Sequence, residues 1–327
     1  MRSVYAASQD PEDPLSGLAI GEIEPEVPDD WVWVKVRAAS LNHHDLWSLR
    51  GVGLPADRLP MVLGTDAAGI APDGSEVLVH GVISSRGWQG DETLDPRRTL
   101  LSELHPGTLA ERVAVPAANL VPKPVGLSFA EAACLPTAYL TAYRLLFDAA
   151  EVRPGQRVLV QGAGGGVSTA AVLLARAAGL HVTVTSRSEA KLERALAIGA
   201  HDAVSSGTRI APVDAVIETV GEATWSHSLR SLRPGGVVAV AGATSGPAPS
   251  ADLNRMFFRS LRVVGSTMGT RAELALVGEM LTAAGIAPVI DQTLDLGSDD
   301  DVRAAFARLL AGESFGKIVL TTKGTST

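Results

Sequence analysis

Apolar and polar positions divide the chain into regions of two kinds. From residue 1 to about 122, alternating runs at 31–37 and 76–80 predict β-strands with one buried face, and prolines and glycines lie between them. Only the stretch 43–50 predicts a short helix. Because strands do not alternate with helices here, this region predicts a small, partly open β-barrel rather than a parallel sheet.

From Gly126 onward, predicted helices and strands alternate. Ser128 and Glu131 have the spacing of a capping box and predict a helical segment that runs to about 149, with a candidate break at Pro136. Further helices are predicted at 167–178, 189–198 and 271–284. Short β-branched strands are predicted at 158–160, 181–185, 203–205, 213–218, 237–241 and 262–265. Six strands with covering helices predict a doubly wound parallel sheet.

The segment from Pro288 onward returns to the first kind of pattern. It contains a predicted strand at 292–296, a helix at 299–310 and an apolar run at 316–320. The simplest architecture is an α/β protein. Its doubly wound dinucleotide-binding domain, residues 123–287, is inserted into a β-rich domain made of residues 1–122 and 288–327.

A glycine-rich turn stands between the first predicted strand of the sheet and the helix after it. Its members are Gly162, Gly164, Gly165 and Gly166, and Val167 begins the helix. Glycines allow the backbone to approach a pyrophosphate closely, and the unpaired N–H groups of a helix N-terminus attract its charge. Strand, glycine turn and helix in this order favour a dinucleotide-binding site over a purely structural loop.

Other positions complete the predicted cofactor site. Thr219 and Val220 follow the strand at 213–218, and Gly242 follows the strand at 237–241. Ligands of doubly wound sheets bind at the carboxyl ends of the strands. Ser168 stands where a third glycine usually allows close helix–strand packing, and serine is small enough to keep that fit.

The end of the second predicted strand indicates which dinucleotide is bound. An NAD site usually carries an acidic residue there for the ribose hydroxyls. This chain instead has Ser186, Arg187 and Ser188, with Lys191 one turn further on. Two cations and two hydroxyls suit the 2′-phosphate of NADPH, so we predict NADPH as the cofactor. The alternative is an ordinary solvated helix start, in which Glu189 also takes part.

Composition narrows the class of protein. The 327 residues are 46% hydrophobic and 20% charged, as in an ordinary globular protein. A net charge of −8 without a basic run argues against nucleic acid or an anionic membrane as partner. We find no signal peptide or membrane span and expect a cytoplasmic protein. The single cysteine, Cys134, excludes an internal disulfide and a multi-cysteine metal site.

Five motifs, in their order and spacing, resemble the medium-chain dehydrogenase/reductase superfamily over essentially the whole chain. They lie at 41–46, 60–69, 107–111, 162–167 and 315–320. Within that superfamily the chain is most similar to the zinc-independent quinone oxidoreductase-like, or zeta-crystallin-like, branch. The resemblance implies a GroES-like catalytic domain and a Rossmann domain, with nicotinamide bound in the cleft between them.

The resemblance also bears on metal binding. Zinc-containing members hold their catalytic metal with cysteine, histidine and cysteine, and by matching motifs those places fall on Asn42, Thr65 and Thr137. None of the three is a competent zinc ligand, because zinc prefers thiolate, imidazole or carboxylate. The region that would form a structural zinc lobe, 81–106, contains no cysteine. We therefore expect no metal.

Five residues are candidates for the catalytic site: Asn42, His43, Asp45, Thr65 and Thr137. The Asn42 amide is suited to donate to the nicotinamide ribose or to a substrate oxygen, although asparagine also forms turns. His43 is either a proton donor or a core histidine. Asp45 is better suited to fix a neighbouring group than to act as a base. The two threonine hydroxyls either serve the reaction or fill space.

Lys317 matches the family position that reaches the cofactor phosphates, the alternative being an exposed lysine. Without a metal, hydride transfer suits an acceptor that takes hydride readily, so we predict an NADPH-dependent reductase of a quinone or an α,β-unsaturated carbonyl compound. An alcohol dehydrogenase-like carbonyl reductase and a non-catalytic NADPH-binding protein are the alternatives. The resemblance also suggests a homodimer or homotetramer that pairs through the edge strand near 262–266.

Overall fold

The computed structural model describes residues 1–322. Contacts between residues divide the chain into two units. The first unit comprises Met1–Thr137 and the chain from Thr270 onward, and the second unit comprises Ala138–Gly269. Residues 323–327, which the sequence assigns to the β-rich domain, lie outside the described residues.

Strands form the sheets of both units. In chain order they are β1 (Arg2–Ala6), β2 (Leu18–Glu22), β3 (Val32–Ser40), β4 (Met61–Val62), β5 (Asp66–Ile70), β6 (Glu76–Val79), β7 (Val82–Ile83), β8 (Thr99–Leu100), β9 (Arg112–Val115), β10 (Leu120–Pro122), β11 (Arg157–Val160), β12 (His181–Ser186), β13 (Asp202–Ser205), β14 (Val213–Glu218), β15 (Leu232–Val240), β16 (Arg262–Gly265), β17 (Ile290–Asp295) and β18 (Lys317–Thr321).

The helices range in length from 4 residues in α2 to 14 residues in α8. They are α1 (His43–Leu49), α2 (Phe129–Ala132), α3 (Leu140–Arg144), α4 (Gly166–Ala177), α5 (Glu189–Ala197), α6 (Glu222–Ser231), α7 (Leu253–Phe258), α8 (Arg271–Ala284) and α9 (Asp299–Leu310). Short 3₁₀ helices occur at Pro14–Gly17, Ala56–Arg58, Glu92–Leu94 and Ala117–Asn119. Across the described part of the chain, no helix has both the length and the apolar character that a membrane crossing requires.

The first unit is built around β3. This strand belongs to a 7-stranded sheet, in which six strands follow the order β10-β6-β5-β3-β18-β17 and β9 pairs with β3 outside that order. All of its pairings are antiparallel, with β9 along its first half and with β5 and β18 along its second half. Its alternate side chains Val34 and Val36 are fully buried, as the predicted alternation requires, and they share one core with Phe306 of α9. Residues from both ends of the sequence therefore position the start of α1.

The loop from 81 to 106 is held by a buried carboxylate rather than by cysteine ligands. Asp95 is inaccessible to solvent and accepts hydrogen bonds from the backbone N–H groups of Ser85, at 2.6 Å, and Arg97, at 2.8 Å. Burial raises the pKa of Asp95, but these hydrogen bonds outweigh it, so the pKa lies below its ordinary value. An ion pair between Glu92 and Arg271 also holds the loop.

The second unit is the predicted parallel sheet. Six strands follow the order β13-β12-β11-β14-β15-β16, which is that of a dinucleotide-binding doubly wound sheet. All neighbouring strands are parallel, and Leu159, Val216 and Val238 from three of them pack in one apolar cluster. The predicted α/β fold class is confirmed.

Two segments that the sequence assigns to the dinucleotide-binding domain pack in the first unit. Helix α2 contacts β3 and β5, and α8 packs on β10, where a Cβ placed on Gly278 would lie 2.5 Å from Pro124. The segment after Ser128 is also not one regular helix, since π-helical turns at Leu135–Tyr139 and Leu145–Ala149 flank α3. Helical character alone does not reveal against which sheet a helix packs.

We expect His105 to make stability depend on pH. Its ring packs against Trp31 and lies 2.9 Å from Thr99 Oγ1. Burial, with the nearby charge of Arg58, lowers the pKa of His105 below its ordinary 6.5. The unfolded chain therefore binds more protons as the pH falls through 6.5, and the free energy of unfolding should decrease.

Urea unfolding of the wild type and of His105→Gln at about pH 7.5 and about pH 5.5 measures this effect. The wild type should lose more stability on acidification than the variant, because glutamine does not titrate. Equal losses in both proteins would contradict the assignment.

Candidate functional site

Asp45 fixes the N-terminus of α1. Its carboxylate is inaccessible to solvent and accepts hydrogen bonds from the backbone N–H groups of Asn42, at 2.8 Å, and Gly64, at 3.0 Å. Burial raises the pKa of Asp45, opposed by the charges of His44 and Lys317. The structure thus gives Asp45 the role of fixing the backbone and joins α1 to the turn before Thr65.

The three residues that the sequence resemblance matches to zinc-ligand positions form one hydrogen-bonded group. Asn42 Nδ2 lies 3.2 Å from Thr65 Oγ1, which lies 3.1 Å from Thr137 Oγ1. Thr65 is buried, whereas Thr137 is half-buried. Asn42 Nδ2 also donates to Asp66 Oδ2 at 2.9 Å. Both amide hydrogens of Asn42 are therefore used within the protein, which favours positioning over the predicted donation to substrate.

Lys317 lies in this same group, which is not the position predicted for it. Its ammonium is 2% exposed and donates to Leu41 O at 2.7 Å, Asn42 Oδ1 at 2.5 Å and Asp66 Oδ2 at 3.1 Å. An ammonium has three donors, and all three have acceptors. We therefore correct the assignment of Lys317 to the cofactor phosphates, because its charge is already used in a buried ion pair.

Asp66 and Ser40 belong to the site, although the sequence analysis did not assign them to it. Asp66 is fully buried, and its Oδ2 accepts from Ser40 Oγ at 2.8 Å as well as from Asn42 and Lys317. The available signal was its position directly after Thr65 in the 60–69 motif. A carboxylate next to a predicted site residue in a buried strand needs a partner, and only the folded chain reveals Lys317 as that partner.

The side chains of the two adjacent histidines lie outside the hydrogen-bonded group of Asn42, Thr65 and Thr137. His43 is exposed on the first turn of α1, so the interpretation as a core histidine is wrong. His44 turns the other way, and its Nε2 lies 2.9 Å from Glu103 Oε1. Neither histidine has a recorded hydrogen bond to Asn42, Thr65 or Thr137 within residues 1–322.

The lone cysteine lies three residues before Thr137. Cys134 is fully buried, and its thiol donates to Ala130 O at 3.3 Å. Burial raises the pKa of the thiol to about 12. At neutral pH the sulfur is therefore a protonated thiol, which is neither a nucleophile nor a metal ligand.

The donor set at these positions does not fit zinc. An amide and two hydroxyls replace thiolate and imidazole, and the amide oxygen of Asn42 contacts an ammonium group at 2.5 Å. A divalent cation at this point would be repelled by Lys317. Among residues 1–322, no group of three His, Cys, Asp or Glu side chains has an arrangement that could hold a metal ion.

In the second unit, the glycine turn has the conformation that phosphate binding needs. Gly162 and Gly164 have φ angles of 77° and 105°, which favour glycine. Gly165 precedes α4, which begins at Gly166, and has no side chain to cap the first N–H groups of the helix. Those N–H groups and the helix dipole fit a pyrophosphate. Val167 follows on the first turn, and Ser168 is buried, as the packing role predicts.

The cationic residues lie near this turn. Arg187 is exposed, and no hydrogen bond or ion pair is recorded between it and the rest of the described chain. The aliphatic part of the Lys191 side chain lies over the turn, since a Cβ on Gly164 would be 2.8 Å from its Cδ and 3.3 Å from its Nζ. Ser186 is buried, and its Oγ accepts from Ser188 N at 3.1 Å. Arg187 thus directly follows β12, the parallel neighbour of the strand that leads into the glycine turn, and the Lys191 side chain contacts that turn.

The remaining predicted cofactor positions meet at the same edge of the sheet. A Cβ on Gly162 would lie 2.8 Å from Val220 Cγ2, and one on Gly242 would lie 3.0 Å from Thr219 O. Glu218, which the sequence analysis missed, holds this turn. Its fully buried carboxylate accepts from Val220 N at 2.8 Å and Gly221 N at 3.0 Å.

Family models match both units. One described as an alcohol dehydrogenase GroES-like domain matches residues 28–125, and one described as a zinc-binding dehydrogenase matches residues 166–283. The chain is 32% identical to a zinc-type alcohol dehydrogenase-like protein of Schizosaccharomyces pombe, over 88% of this chain and 90% of that protein. It is 30% identical to an acryloyl-coenzyme A reductase of Metallosphaera sedula, over 94% and 97%.

A solved structure of an NAD-dependent alcohol dehydrogenase has a similar fold. It is 34% identical to this chain, with a TM-score of 0.88 over 99% of this chain and all of the other. The chain therefore belongs to the medium-chain dehydrogenase/reductase superfamily of oxidoreductases, whose members bind a nicotinamide dinucleotide. The predicted family is confirmed.

The substitution Asp45→Asn tests the anchor of the site. Asparagine keeps the size but presents an N–H₂ group to one of the two backbone donors, so one buried N–H loses its acceptor. We expect a loss of about 1–3 kcal/mol in the free energy of unfolding, measured with denaturant. The exposed Asp57→Asn is the control and should change stability by less than about 0.5 kcal/mol. Equal stability of both variants would contradict the anchoring role.

Proposed function

We propose that this protein is a zinc-independent, NADPH-dependent reductase that transfers hydride to an α,β-unsaturated carbonyl compound or a quinone. One observation carries the proposal. The positions that the sequence resemblance matches to the catalytic zinc ligands carry an amide and two hydroxyls, and a buried ammonium contacts the amide. Hydrogen-bond donors replace a Lewis acid, and such donors suffice for an acceptor that takes hydride readily.

In the proposed reaction, residues of the second unit bind the cofactor and residues of the first unit donate hydrogen bonds to the acceptor. Bound NADPH supplies the hydride. The glycine turn binds its pyrophosphate, and the turn held by Glu218 presents Thr219 and Val220 to the cofactor. In the first unit, the group around Thr65 and Thr137 supplies polar hydrogen where negative charge develops on the acceptor.

The relatives favour an activated alkene over a quinone. The name of the Metallosphaera sedula relative states reduction of acryloyl-coenzyme A, which is an α,β-unsaturated thioester. An acceptor of that kind needs no metal, because hydride adds to the β-carbon and charge moves to the carbonyl oxygen. The zinc-type name of the Schizosaccharomyces pombe relative favours an alcohol dehydrogenase-like carbonyl reductase as second candidate. Against it stand the residues at the zinc positions.

Charge supports NADPH over NADH. Arg187 is exposed at the end of β12, and no hydrogen bond or ion pair is recorded for it within residues 1–322. The ammonium of Lys191 lies beside Gly164 of the glycine turn. Ser186, not a carboxylate, ends the strand where NAD-binding proteins usually carry an acid. These groups suit a 2′-phosphate, which an arginine binds with charge-assisted hydrogen bonds.

The first test is oxidation of NADPH and NADH against acryloyl- and crotonyl-thioesters, simple enones, quinones and aldehydes, with and without a chelator. We expect chelator-resistant turnover of an unsaturated carbonyl compound with NADPH preferred. Arg187→Ala should raise the KM for NADPH about ten- to a hundredfold and leave that for NADH unchanged, because one charge-assisted contact is lost.

Arg303→Ala replaces another exposed arginine and serves as the matched control. Loss of activity on chelation, with recovery on adding zinc, would overturn the zinc-independent reaction and favour the alcohol dehydrogenase-like candidate. Saturable NADPH binding without turnover of any acceptor would instead indicate a non-catalytic binding protein.

The exposed end of the parallel sheet supports self-association. Strand β16 pairs only with β15 in the described chain, and α7 beside it exposes Leu253, Phe257 and Phe258, the last at 79%. An open strand edge next to exposed aromatics is unusual for a monomer. A second copy related by a twofold axis supplies both an antiparallel strand and a matching apolar surface, so we propose a homodimer through β16.

Light scattering during gel filtration tests the proposed dimer. The wild type should have twice the mass of one chain, and Phe258→Glu should have the mass of one chain with an unchanged circular dichroism spectrum, because the buried charge opposes pairing. Leu196→Glu, exposed on α5, is a suitable control. A monomeric wild type would refute the dimer.

A further inference from the structure

Lys317, Asn42, Thr65 and Thr137 form a continuous series of hydrogen bonds whose direction can be assigned. An ammonium only donates, so the Asn42 atom 2.5 Å from Lys317 Nζ is the carbonyl oxygen Oδ1. The amide nitrogen must then face Thr65 Oγ1, at 3.2 Å, and Asp66 Oδ2, at 2.9 Å. This fixes Thr65 as an acceptor from Asn42.

The direction continues through the two hydroxyls. Thr65 is 1% exposed, and besides Asn42 its side chain has one recorded partner in residues 1–322, Thr137 Oγ1 at 3.1 Å. A buried hydroxyl hydrogen needs an acceptor, so Thr65 donates to Thr137. Thr137 then accepts from Thr65, and its own hydrogen has no recorded acceptor in the described chain. Thr137 is also the half-buried member of the pair.

We propose that Thr137 is the hydrogen-bond donor to the oxyanion of the substrate, and that Thr65, Asn42 and Lys317 are positioning residues. The inference rests on the proposed reduction of an α,β-unsaturated carbonyl compound. In that step NADPH is oxidised to NADP⁺, and its hydride bonds to the β-carbon. The π pair of the C=C bond moves toward the carbonyl carbon, and the carbonyl π pair becomes the oxyanion. The oxyanion pair then re-forms the C=O bond while the α-carbon takes a proton from water, which leaves hydroxide, and Thr137 keeps its own proton.

The series of hydrogen bonds makes the Thr137 hydroxyl a stronger donor. A hydroxyl that accepts a hydrogen bond becomes a better donor, and bonds in series polarise one another in a water-poor environment. A cation begins the series, so its first bond is charge-assisted. The pairing of Lys317 with Asp66 keeps that cation in place, since the two side chains are 2% and 0% exposed.

Valine substitutions test the assignment, because valine has the shape of threonine without the hydroxyl. Thr137→Val should lower kcat about a hundredfold with the best acceptor, as does removal of one oxyanion donor elsewhere, while NADPH affinity stays unchanged. Thr137→Ser should keep kcat within about threefold of the wild type, because the hydroxyl remains. Thr65→Val should lower kcat by roughly three- to tenfold, because Thr137 loses its orienting partner.

The double variant Thr65→Val/Thr137→Val tests whether Thr65 acts through Thr137 or has an independent structural effect. If Thr65 acts through Thr137, adding Thr65→Val to Thr137→Val should change kcat by less than about twofold. The control Thr183→Val removes a buried hydroxyl of β12 that bonds to Asp202, outside this series, and should leave kcat unchanged. Binding of NADPH followed by fluorescence verifies that every variant is folded.

Each outcome decides a different statement. If the wild type is active and Thr137→Val keeps more than half of its kcat, Thr137 is not the donor to the oxyanion, and the proposed function is unaffected. Additive losses in the double variant overturn the positioning role of Thr65 alone. A wild type that binds NADPH but reduces none of the acceptors overturns the proposed function, and the role of Thr137 with it.

Discussion

The buried ion pair between Lys317 and Asp66 is the contact on which the site of the first unit depends. Taking two charges out of water costs several kcal/mol per ion, and only a good geometry with additional donors offsets it. Ser40 and Asn42 supply those donors, on the same carboxylate oxygen that receives Lys317. The pair joins the start of β18 to the start of β5 and, through Asn42, to α1. The orientation of the Asn42 amide, and with it the direction of the threonine series, follows from that one ammonium.

Buried carboxylates hold the candidate residues of each unit, each carboxylate with different partners. Asp66 pairs with a cation, whereas Asp45 receives backbone N–H groups from two segments of the first unit. In the second unit Glu218 receives the backbone N–H groups of the adjacent residues Val220 and Gly221, and it also accepts from the Thr224 and Ser228 hydroxyls. Backbone N–H groups hold a carboxylate with little freedom, so the turns they belong to become rigid. The turn after β14 in the second unit and the turn before β5 in the first unit are therefore each held in one geometry, as the positioning of a reactant requires.

Structural features that depend on a few neighbouring residues can be predicted from the sequence. The β-branched runs and the glycine turn gave the parallel sheet and its phosphate-binding edge, because burial and backbone conformation act over a few residues. Lys317 was assigned to the wrong partner because its actual one, Asp66, lies 251 residues away along the chain. Glu218 was overlooked since a glutamate ending a strand resembles a solvated one. The segments 123–137 and 270–287 are helical in either domain, and only packing against β3, β5 and β10 assigns them to the first unit.

The burial of Cys134 has a consequence for an enzyme that handles electrophilic alkenes. Such compounds alkylate thiolates by conjugate addition, so an accessible low-pKa cysteine near the reacting carbon would be consumed by its own substrate. The chain has a single cysteine, which is enclosed in the core with a thiol pKa of about 12. The proposed chemistry can therefore proceed three residues away, at Thr137, without self-inactivation.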